Sequence, residues 1–93
     1  MRPAVVIVQG DALNRSRIAT VVCVLLTSNL LWAEAPGHVR LSPRTTNLQK
    51  DSVAKASQVV ALDKVFLTER VGKLSRAKVE LLLAGIDVVL GRL

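Results

Sequence analysis

The order of apolar and polar positions predicts two buried strands near the start of the chain. Residues 5–8 form an uninterrupted β-branched run, and residues 20–26 form a second apolar run. Such runs are typical of strands that are covered on both faces. The polar stretch at residues 9–17 is predicted to be the loop that joins the two strands.

A turn and a half-exposed strand are predicted next. The Pro-Gly pair at residues 36–37 favours a type II turn, because glycine adopts positive φ at low cost. Residues 38–42 alternate strictly between polar and apolar. This alternation predicts that Val39 and Leu41 point to the core, while His38 and Arg40 point to solvent. His38 is therefore interpreted as a surface histidine, and an acid–base role for it stays open as the alternative.

The second half of the chain is predicted to contain a further strand and a C-terminal helix. Residues 43–51 are polar and basic and indicate a surface loop, whereas residues 52–62 indicate a strand with a bulge at Ser57 and Gln58. Ser75 is predicted to begin the helix. Apolar residues spaced by three, four and seven positions form one stripe along it: Val79, Leu82, Leu83, Ile86, Val89, Leu90 and Leu93.

Together these elements predict a β-rich α+β fold, in which a small antiparallel barrel or strongly twisted sheet carries the helix across one end. The length of 93 residues fits a single domain. Gly85 lies in the middle of the predicted helix, where glycine costs about 1 kcal/mol relative to alanine. The packing of the apolar stripe must therefore hold the helix.

The charge of the chain indicates a polyanionic partner. Thirteen Lys and Arg residues against seven Asp and Glu residues give a net charge of +6. This balance favours nucleic acid, an anionic membrane or an acidic protein as the partner. Trp32 and Phe66 are the only aromatic residues, so a domain that binds single strands on a platform of several aromatic rings is not expected.

The cysteine and histidine content predicts neither a metal site nor a cofactor. Cys23 and His38 are each the single residue of their type, so the sequence offers no zinc-binding constellation. Cys23 lies within an apolar run and is interpreted as a small buried hydrophobe. One unpaired cysteine fits the reducing cytoplasm.

Residues 15–35 imitate a secretory signal, because two arginines precede an apolar stretch that ends in small residues. The imitation is imperfect, since three polar residues at positions 27–29 interrupt the stretch and leave it too short to span a membrane. A cytoplasmic protein without a membrane partner is the expectation. Export is the alternative.

Motifs spread over nearly the whole chain resemble one family, in the order in which that family shows them. They are Arg2-Pro3 with the apolar run and Gln9 behind it, Thr20-Val21-Val22-Cys23-Val24 leading into Leu26-Thr27-Ser28-Asn29, Pro36-Gly37 before Val39, Lys50-Asp51-Ser52-Val53-Ala54, Ser57-Gln58, Leu62-Asp63-Lys64 and Val71-Gly72-Lys73-Leu74. With these motifs the chain resembles the MazF/PemK toxins, the endoribonucleases or mRNA interferases of type II toxin–antitoxin modules.

The resemblance implies an SH3-like antiparallel barrel with a C-terminal helix and a homodimer. It also implies metal-independent, sequence-selective cleavage of single-stranded mRNA that inhibits translation, and neutralisation by an acidic antitoxin, with which such toxins form DNA-binding complexes. Relative to the family, the domain over residues 1–93 is expected to be truncated at its N terminus, because the family's first strand and loop precede the Arg-Pro pair.

The resemblance also assigns catalytic roles to Arg2 and Thr27. A guanidinium can stabilise the charge that builds on the phosphoryl oxygens when a ribose 2′-hydroxyl attacks phosphorus. A threonine hydroxyl can donate to a phosphate oxygen, and its β-branching limits the directions in which it points. Neither group suits the role of general base, so the base stays unassigned. The candidate RNA-binding residues are Arg15, Arg17, Ser28, Asn29, Arg40 and Arg44.

Other interpretations stay open. From composition and spacing alone, Arg2 is also consistent with a solvated terminal residue and Thr27 with an ordinary threonine at a strand end. The arginines of the candidate RNA site are equally consistent with solvated surface charge. At the level of function, the alternatives are a catalytically defective toxin that still dimerises or binds antitoxin, and a CcdB-like topoisomerase poison with the same barrel.

Overall fold

The computed structural model describes residues 4–92, so Arg2 and Leu93 lie outside the described residues. Within this range, four strands form one antiparallel sheet in the spatial order β1, β2, β4, β3. The strands are β1 (Val5–Ile7), β2 (Thr20–Thr27), β3 (Val39–Leu41) and β4 (Ser52–Asp63).

Helices connect the strands and close the fold. The C-terminal helix begins after Ser75, as predicted, and the Ser75 hydroxyl caps it by accepting a hydrogen bond from the Lys78 amide. The predicted loops at residues 9–17 and 43–51 each contain one short helical turn. The helices are α1 (Asp11–Asn14), α2 (Pro43–Thr46) and α3 (Arg76–Val89), with 3₁₀ helices at Leu30–Glu34 and Lys64–Phe66.

A bulge in β4 curls the sheet. Val24 of β2 pairs with Val59 of β4, but two residues later Leu26 pairs with Ala54, so β4 holds extra residues between these pairs. The extra residues include Ser57 and Gln58, where the sequence predicts the bulge. Because a bulge bends its strand and increases the local twist, the sheet forms a half-barrel with α3 packed against it. The expected small antiparallel barrel with a C-terminal helix is confirmed as this curled sheet.

The core lies between the sheet and α3. Leu82 of α3 is 1% exposed and packs against the buried side chains of all but the first strand. Val6 and Val8 complete the core from the β1 side. The buried members of this core are Val24, Leu41, Ala54, Ala56 and Leu82.

Backbone meets backbone where α3 crosses the turn before β3. Gly37 has φ of +83°, as the predicted type II turn requires. A Cβ built on Gly85 would overlap the carbonyl oxygen of Gly37, and a Cβ built on Gly37 would overlap that of Gly85. The two glycines therefore allow α3 to pack closer to the turn than any side chain permits.

Two predictions of burial are wrong in part. The first two strands were expected to be covered on both faces, yet Ile7 is 43% and Val22 is 37% exposed. The reason for Ile7 is that β1, within the described range, has β2 as its only neighbour in the sheet. The apolar stripe of α3 is also less buried than predicted, since Val89 is 41% and Leu90 is 65% exposed. Of the predicted stripe, Leu82 belongs to the buried core and Ile86 packs partly buried against it.

Cys23 is a free, fully buried cysteine, as predicted. Burial raises the pKa of its thiol, because the low-dielectric interior disfavours the thiolate. None of the helices in residues 4–92 is long and apolar enough to cross a membrane.

Candidate functional site

Thr27 occupies the last position of β2, in a row of three residues that crosses three strands. Thr27 pairs with Val53 of β4, and Val53 pairs in turn with Arg40 of β3. Residues directly opposite one another in an antiparallel sheet point to the same face. Two strand spacings separate the ends of the row, so the Cα atoms of Thr27 and Arg40 lie about 10 Å apart.

The face that carries this row is the one opposite α3. The neighbouring row consists of Leu26, Ala54 and Val39, which pack in the core beneath the helix. Because side chains alternate along a strand, Thr27 and Arg40 point away from that core. The structure therefore brings two of the predicted site residues to one face of the sheet.

The turn after Thr27 makes a hydrogen bond to the hydroxyl oxygen of Thr27. Thr27 Oγ1 accepts a hydrogen bond from the Asn29 amide at 3.1 Å, and Asn29 Oδ1 accepts one from the Leu31 amide at 3.2 Å. A hydroxyl that accepts one bond keeps its own proton for donation. The Thr27 hydroxyl can therefore still donate to a ligand, and the exposed Ser28 lies beside it.

Arg40 is held by an ion pair with Asp51. Its Nη2 and Nε both donate to Asp51 Oδ2, at 2.6 and 3.1 Å. The side chain of Arg40 is 57% exposed, so solvent screens the pair. Its remaining N–H groups are available to an anion, although Asp51 offsets part of the charge.

The other predicted RNA-binding arginines divide between the two ends of the sheet. Arg44 is exposed on α2, which begins two residues after β3 and so lies at the Arg40 end. Arg15 and Arg17 precede β2 and lie at the end of that strand opposite Thr27. At about 3.3 Å per residue, the eight residues of β2 separate these ends by more than about 20 Å. The structure does not bring Arg15 and Arg17 together with Thr27.

Arg2 lies outside the described residues. The first described residue, Ala4, accepts a hydrogen bond from the Leu26 amide at 3.0 Å. The start of β1 therefore lies beside the end of β2 that carries Thr27.

Sequence reasoning missed a cluster on the same face, which we call the Trp32 cluster and define as Trp32, His38, Lys55 and Ser57. Lys55 Nζ lies 5.2 Å from the centroid of the Trp32 ring. His38 Nδ1 contacts the Trp32 carbonyl oxygen at 2.8 Å, and its Nε2 contacts Ser57 Oγ at 2.7 Å. His38 was expected to be a surface histidine on the exposed side of its strand. It is half-buried there, and both of its ring nitrogens make hydrogen-bond contacts.

The alternation of side chains along the strands could have predicted the positions of two members of this cluster. His38 lies two residues before Arg40, and Lys55 lies two residues after Val53, so alternation places both on the face of the Thr27 row. The position of Trp32 depends instead on how the first 3₁₀ helix folds back over β4.

An open cleft of about 1750 Å³ lies along β1, separate from the Thr27 row. It runs between this strand and the segment at residues 65–76 that leads into α3. Within residues 4–92, no three His, Cys, Asp or Glu side chains converge as a metal site.

Comparison with known proteins identifies a family for this chain. A family model described as "PemK-like, MazF-like toxin of type II toxin-antitoxin system" matches residues 1–90. The chain is 44% identical over 72 residues to endoribonuclease MazF2 of Mycobacterium bovis and to endoribonuclease MazF6 of Mycobacterium tuberculosis. That match covers 77% of this chain but only 63% of the relatives, so the chain spans less than two thirds of their length.

A longer match exists to endoribonuclease MazF of Staphylococcus saprophyticus, with 36% identity over 91 residues, covering 98% of this chain and 74% of the relative. Among solved structures, the Mycobacterium tuberculosis toxin MazF-mt6 superimposes with a TM-score of 0.82 at 15% sequence identity, over 94% of this chain and 84% of that one. That likeness shows a shared fold. The chain belongs to the PemK-like, MazF-like toxin family of type II toxin–antitoxin systems.

Proposed function

We propose that this chain, as one domain, is an endoribonuclease toxin that cleaves single-stranded mRNA without a metal ion and so inhibits translation. The observation that carries the proposal is the 44% identity to two mycobacterial relatives that are named endoribonucleases. The geometry supports it, because the Thr27 hydroxyl keeps its proton for donation on a face that also carries Arg40.

The chemistry assigned to the site uses the nucleophile of the substrate. The ribose 2′-oxygen forms a bond to phosphorus, the bond from phosphorus to the 5′-oxygen breaks, and that oxygen takes up a proton as the 2′-hydroxyl loses one. Arg2 stabilises the charge that develops on the phosphoryl oxygens, and Thr27 donates to one of them. The position of Ala4 beside Leu26 supports this pairing, since Arg2 is two residues from Ala4 in the chain.

Further contacts to RNA are proposed along the sheet. Arg40, Arg44, Ser28 and Asn29 lie at the Thr27 end and are suited to phosphates near the scissile bond. Arg15 and Arg17, at the far end, are suited to a more distant part of the strand. The net charge of +6 supports both contacts.

The proposed partners are a cognate acidic antitoxin in the cytoplasm and a second copy of the chain. The family match supports the antitoxin, because the family is one of toxin–antitoxin systems. Exposed apolar residues at positions 81, 84 and 88 form a stripe on α3, which supports a dimer.

Expression in a host without antitoxin, followed by mapping of RNA ends, tests the activity. Thr27→Val keeps the shape of the side chain but removes the donor, and we expect it to reduce cleavage about a hundredfold or more. Thr27→Ser keeps the hydroxyl and is the matched control, which retains most of the activity. Arg2→Ala is expected to lose cleavage and Arg2→Lys to recover little of it.

Intact RNA with the wild-type chain and with every variant would contradict the proposal. Growth arrest with intact RNA would instead favour poisoning of a topoisomerase.

A further inference from the structure

Trp32 carries the aromatic ring that the structure places near Thr27. The other aromatic residue, Phe66, belongs to the 3₁₀ helix that follows β4. Asp63, the last residue of β4, pairs with Thr20, so this helix lies at the end of β2 opposite Thr27. Trp32 lies in the 3₁₀ helix that begins three residues after Thr27, and the residue is 41% exposed. An exposed ring beside a nucleic-acid contact surface is suited to stack on an unpaired base.

Hydrogen bonds fix the backbone of Trp32. A carbonyl oxygen can only accept, so His38 Nδ1 donates to the Trp32 carbonyl at 2.8 Å. Nε2 of the neutral ring then accepts, and both of its contacts are donors: the Ser57 hydroxyl at 2.7 Å and the Ser57 amide at 3.4 Å. The 3₁₀ helix is thereby tied to the bulge of β4, which reduces the entropy that ordering the ring on binding would cost.

The ring lies close to the proposed reaction centre. Lys55, whose Nζ is 5.2 Å from the ring centroid, is two residues along β4 from Val53, the partner of Thr27. Lys55 is separated from Thr27 by one strand spacing across the sheet and by two residues along the strand. The Cα atoms of these two residues are therefore about 8 Å apart. This placement supports a base on Trp32 that belongs to a nucleotide next to the phosphate at Thr27.

Lys55 supplies the charge that a nucleotide needs at this position. Its ammonium lies over the ring of Trp32, and no carboxylate pairs with it among the ion pairs of the described residues. Arg40 on the same face is already paired with Asp51. A phosphate that approaches the Trp32 cluster thus meets an unpaired cation beside an aromatic surface.

We infer that Trp32 stacks on a base adjacent to the scissile phosphate while Lys55 contacts the phosphate of that nucleotide. The inference rests on the proposed function, since it assigns a base-binding position to the same site. Trp32 then contributes to the choice of cleavage sequence, because stacking strength differs between bases.

The single tryptophan of the chain gives a direct test, since all tryptophan emission comes from Trp32. The wild-type protein is titrated with random RNA decamers that carry 2′-O-methyl groups at every position and so cannot be cleaved through the 2′-hydroxyl. We expect saturable quenching of the emission by the decamers and none by inorganic polyphosphate, which is anionic but has no bases. Unchanged emission at saturating RNA would overturn the inference.

Binding of a labelled decamer, measured by anisotropy, tests the contribution of each side chain. Trp32→Ala is expected to weaken binding about tenfold, the usual order for loss of one base–aromatic stack. Trp32→Phe keeps a ring and should bind several-fold better than Trp32→Ala. Lys55→Gln should weaken binding and lower its salt dependence. Phe66→Ala removes the other exposed ring and is the matched control, with binding unchanged.

Cleavage of unmodified RNA by the wild-type protein separates this inference from the proposed function. Cleavage without quenching would overturn the stacking role and leave the nuclease activity. Quenching without cleavage would support the stacking role and overturn the nuclease activity.

Discussion

Cys23 illustrates how its position in an apolar strand controls the chemistry of one side chain. It is fully buried between neighbouring strands of the sheet, and burial raises the pKa of its thiol. The thiolate is the reactive form, so we expect the folded protein to react slowly with alkylating reagents. The cysteine is therefore an inert part of the core under native conditions.

The raised pKa of Cys23 makes the folded protein less stable as the pH becomes alkaline. Because the pKa in the folded state lies above that in the unfolded state, the unfolded chain loses the proton first as the pH rises. The contribution of the protonated Cys23 thiol to the free energy of unfolding is fully present below the ordinary pKa of a thiol. This contribution is lost as the pH rises through the folded-state pKa. Urea denaturation across alkaline pH should show this decline in wild type and a shallower one in Cys23→Ala. Equal slopes would contradict the assignment.

The hydrogen bonds of His38 could not be predicted from the alternation of polar and apolar residues along its own strand. Alternation correctly predicted that Leu41 is buried and that its strand-mate Arg40 is exposed. It could not predict the bonds from His38 to the Trp32 carbonyl and to Ser57, because these depend on a bulge in another strand and on the path of a loop. For the same reason, the sequence suggested Thr27 but not the Trp32 cluster beside it.

Among the elements, α3 begins at the residue that its sequence pattern predicts, yet it also contains a contact that the pattern does not predict. Its Ser75 cap and the central position of Leu82 in its apolar stripe were predictable from local chemistry. Gly85 was predicted to be a local weakness of the helix. The structure instead shows that Gly85 packs against Gly37, a contact between distant parts of the chain that no local pattern records.

The substitution Gly85→Ala tests whether helix propensity or the close contact with Gly37 determines the change in stability at this position. Helix propensity alone predicts a gain of about 1 kcal/mol in the free energy of unfolding. The overlap of the new methyl group with the Gly37 carbonyl predicts a loss of about 1–3 kcal/mol instead. Urea denaturation measures the change. Gly10→Ala is the control, because a Cβ added at Gly10 meets no atom within 4 Å apart from its chain neighbours. A more stable Gly85→Ala protein would contradict the close packing.

The strands were predictable in number and order of appearance but not in burial. The bulge at Ser57 and Gln58 was predicted because polar residues interrupt the apolar run there, and the register of β2 with β4 confirms it. The exposure of Ile7 was not predictable, because whether a strand lies at an edge depends on the order of all strands in the sheet.

The whole molecule combines a net charge of +6 with an apolar stripe exposed on α3. Leu81 is 51% and Val88 is 41% exposed, and they lie seven residues apart, on one side of the helix. Charge favours a polyanion, whereas an apolar stripe favours a protein partner. Both features are consistent with the proposal that this chain binds RNA and associates with a second copy through a separate surface.

Light scattering coupled to gel filtration tests the dimer. We expect the wild-type protein to have twice the mass of the 10.0 kDa chain. Leu81→Glu and Val88→Glu place a charge in the stripe and should yield monomers, because burying an unpaired charge is unfavourable. Arg76→Glu, an exposed position of α3 outside the stripe, is the control and should remain dimeric. Identical masses for all four proteins would contradict an interface at this stripe.

The contact of Gly37 with Gly85 also limits which substitutions this chain can accept at these two positions. In an ordinary core contact, a larger residue on one side can be balanced by a smaller one on the other. Neither glycine has a side chain to shorten, so no second substitution can make room for a first. Any other residue at either position of this chain therefore requires the last helix to lie farther from the turn.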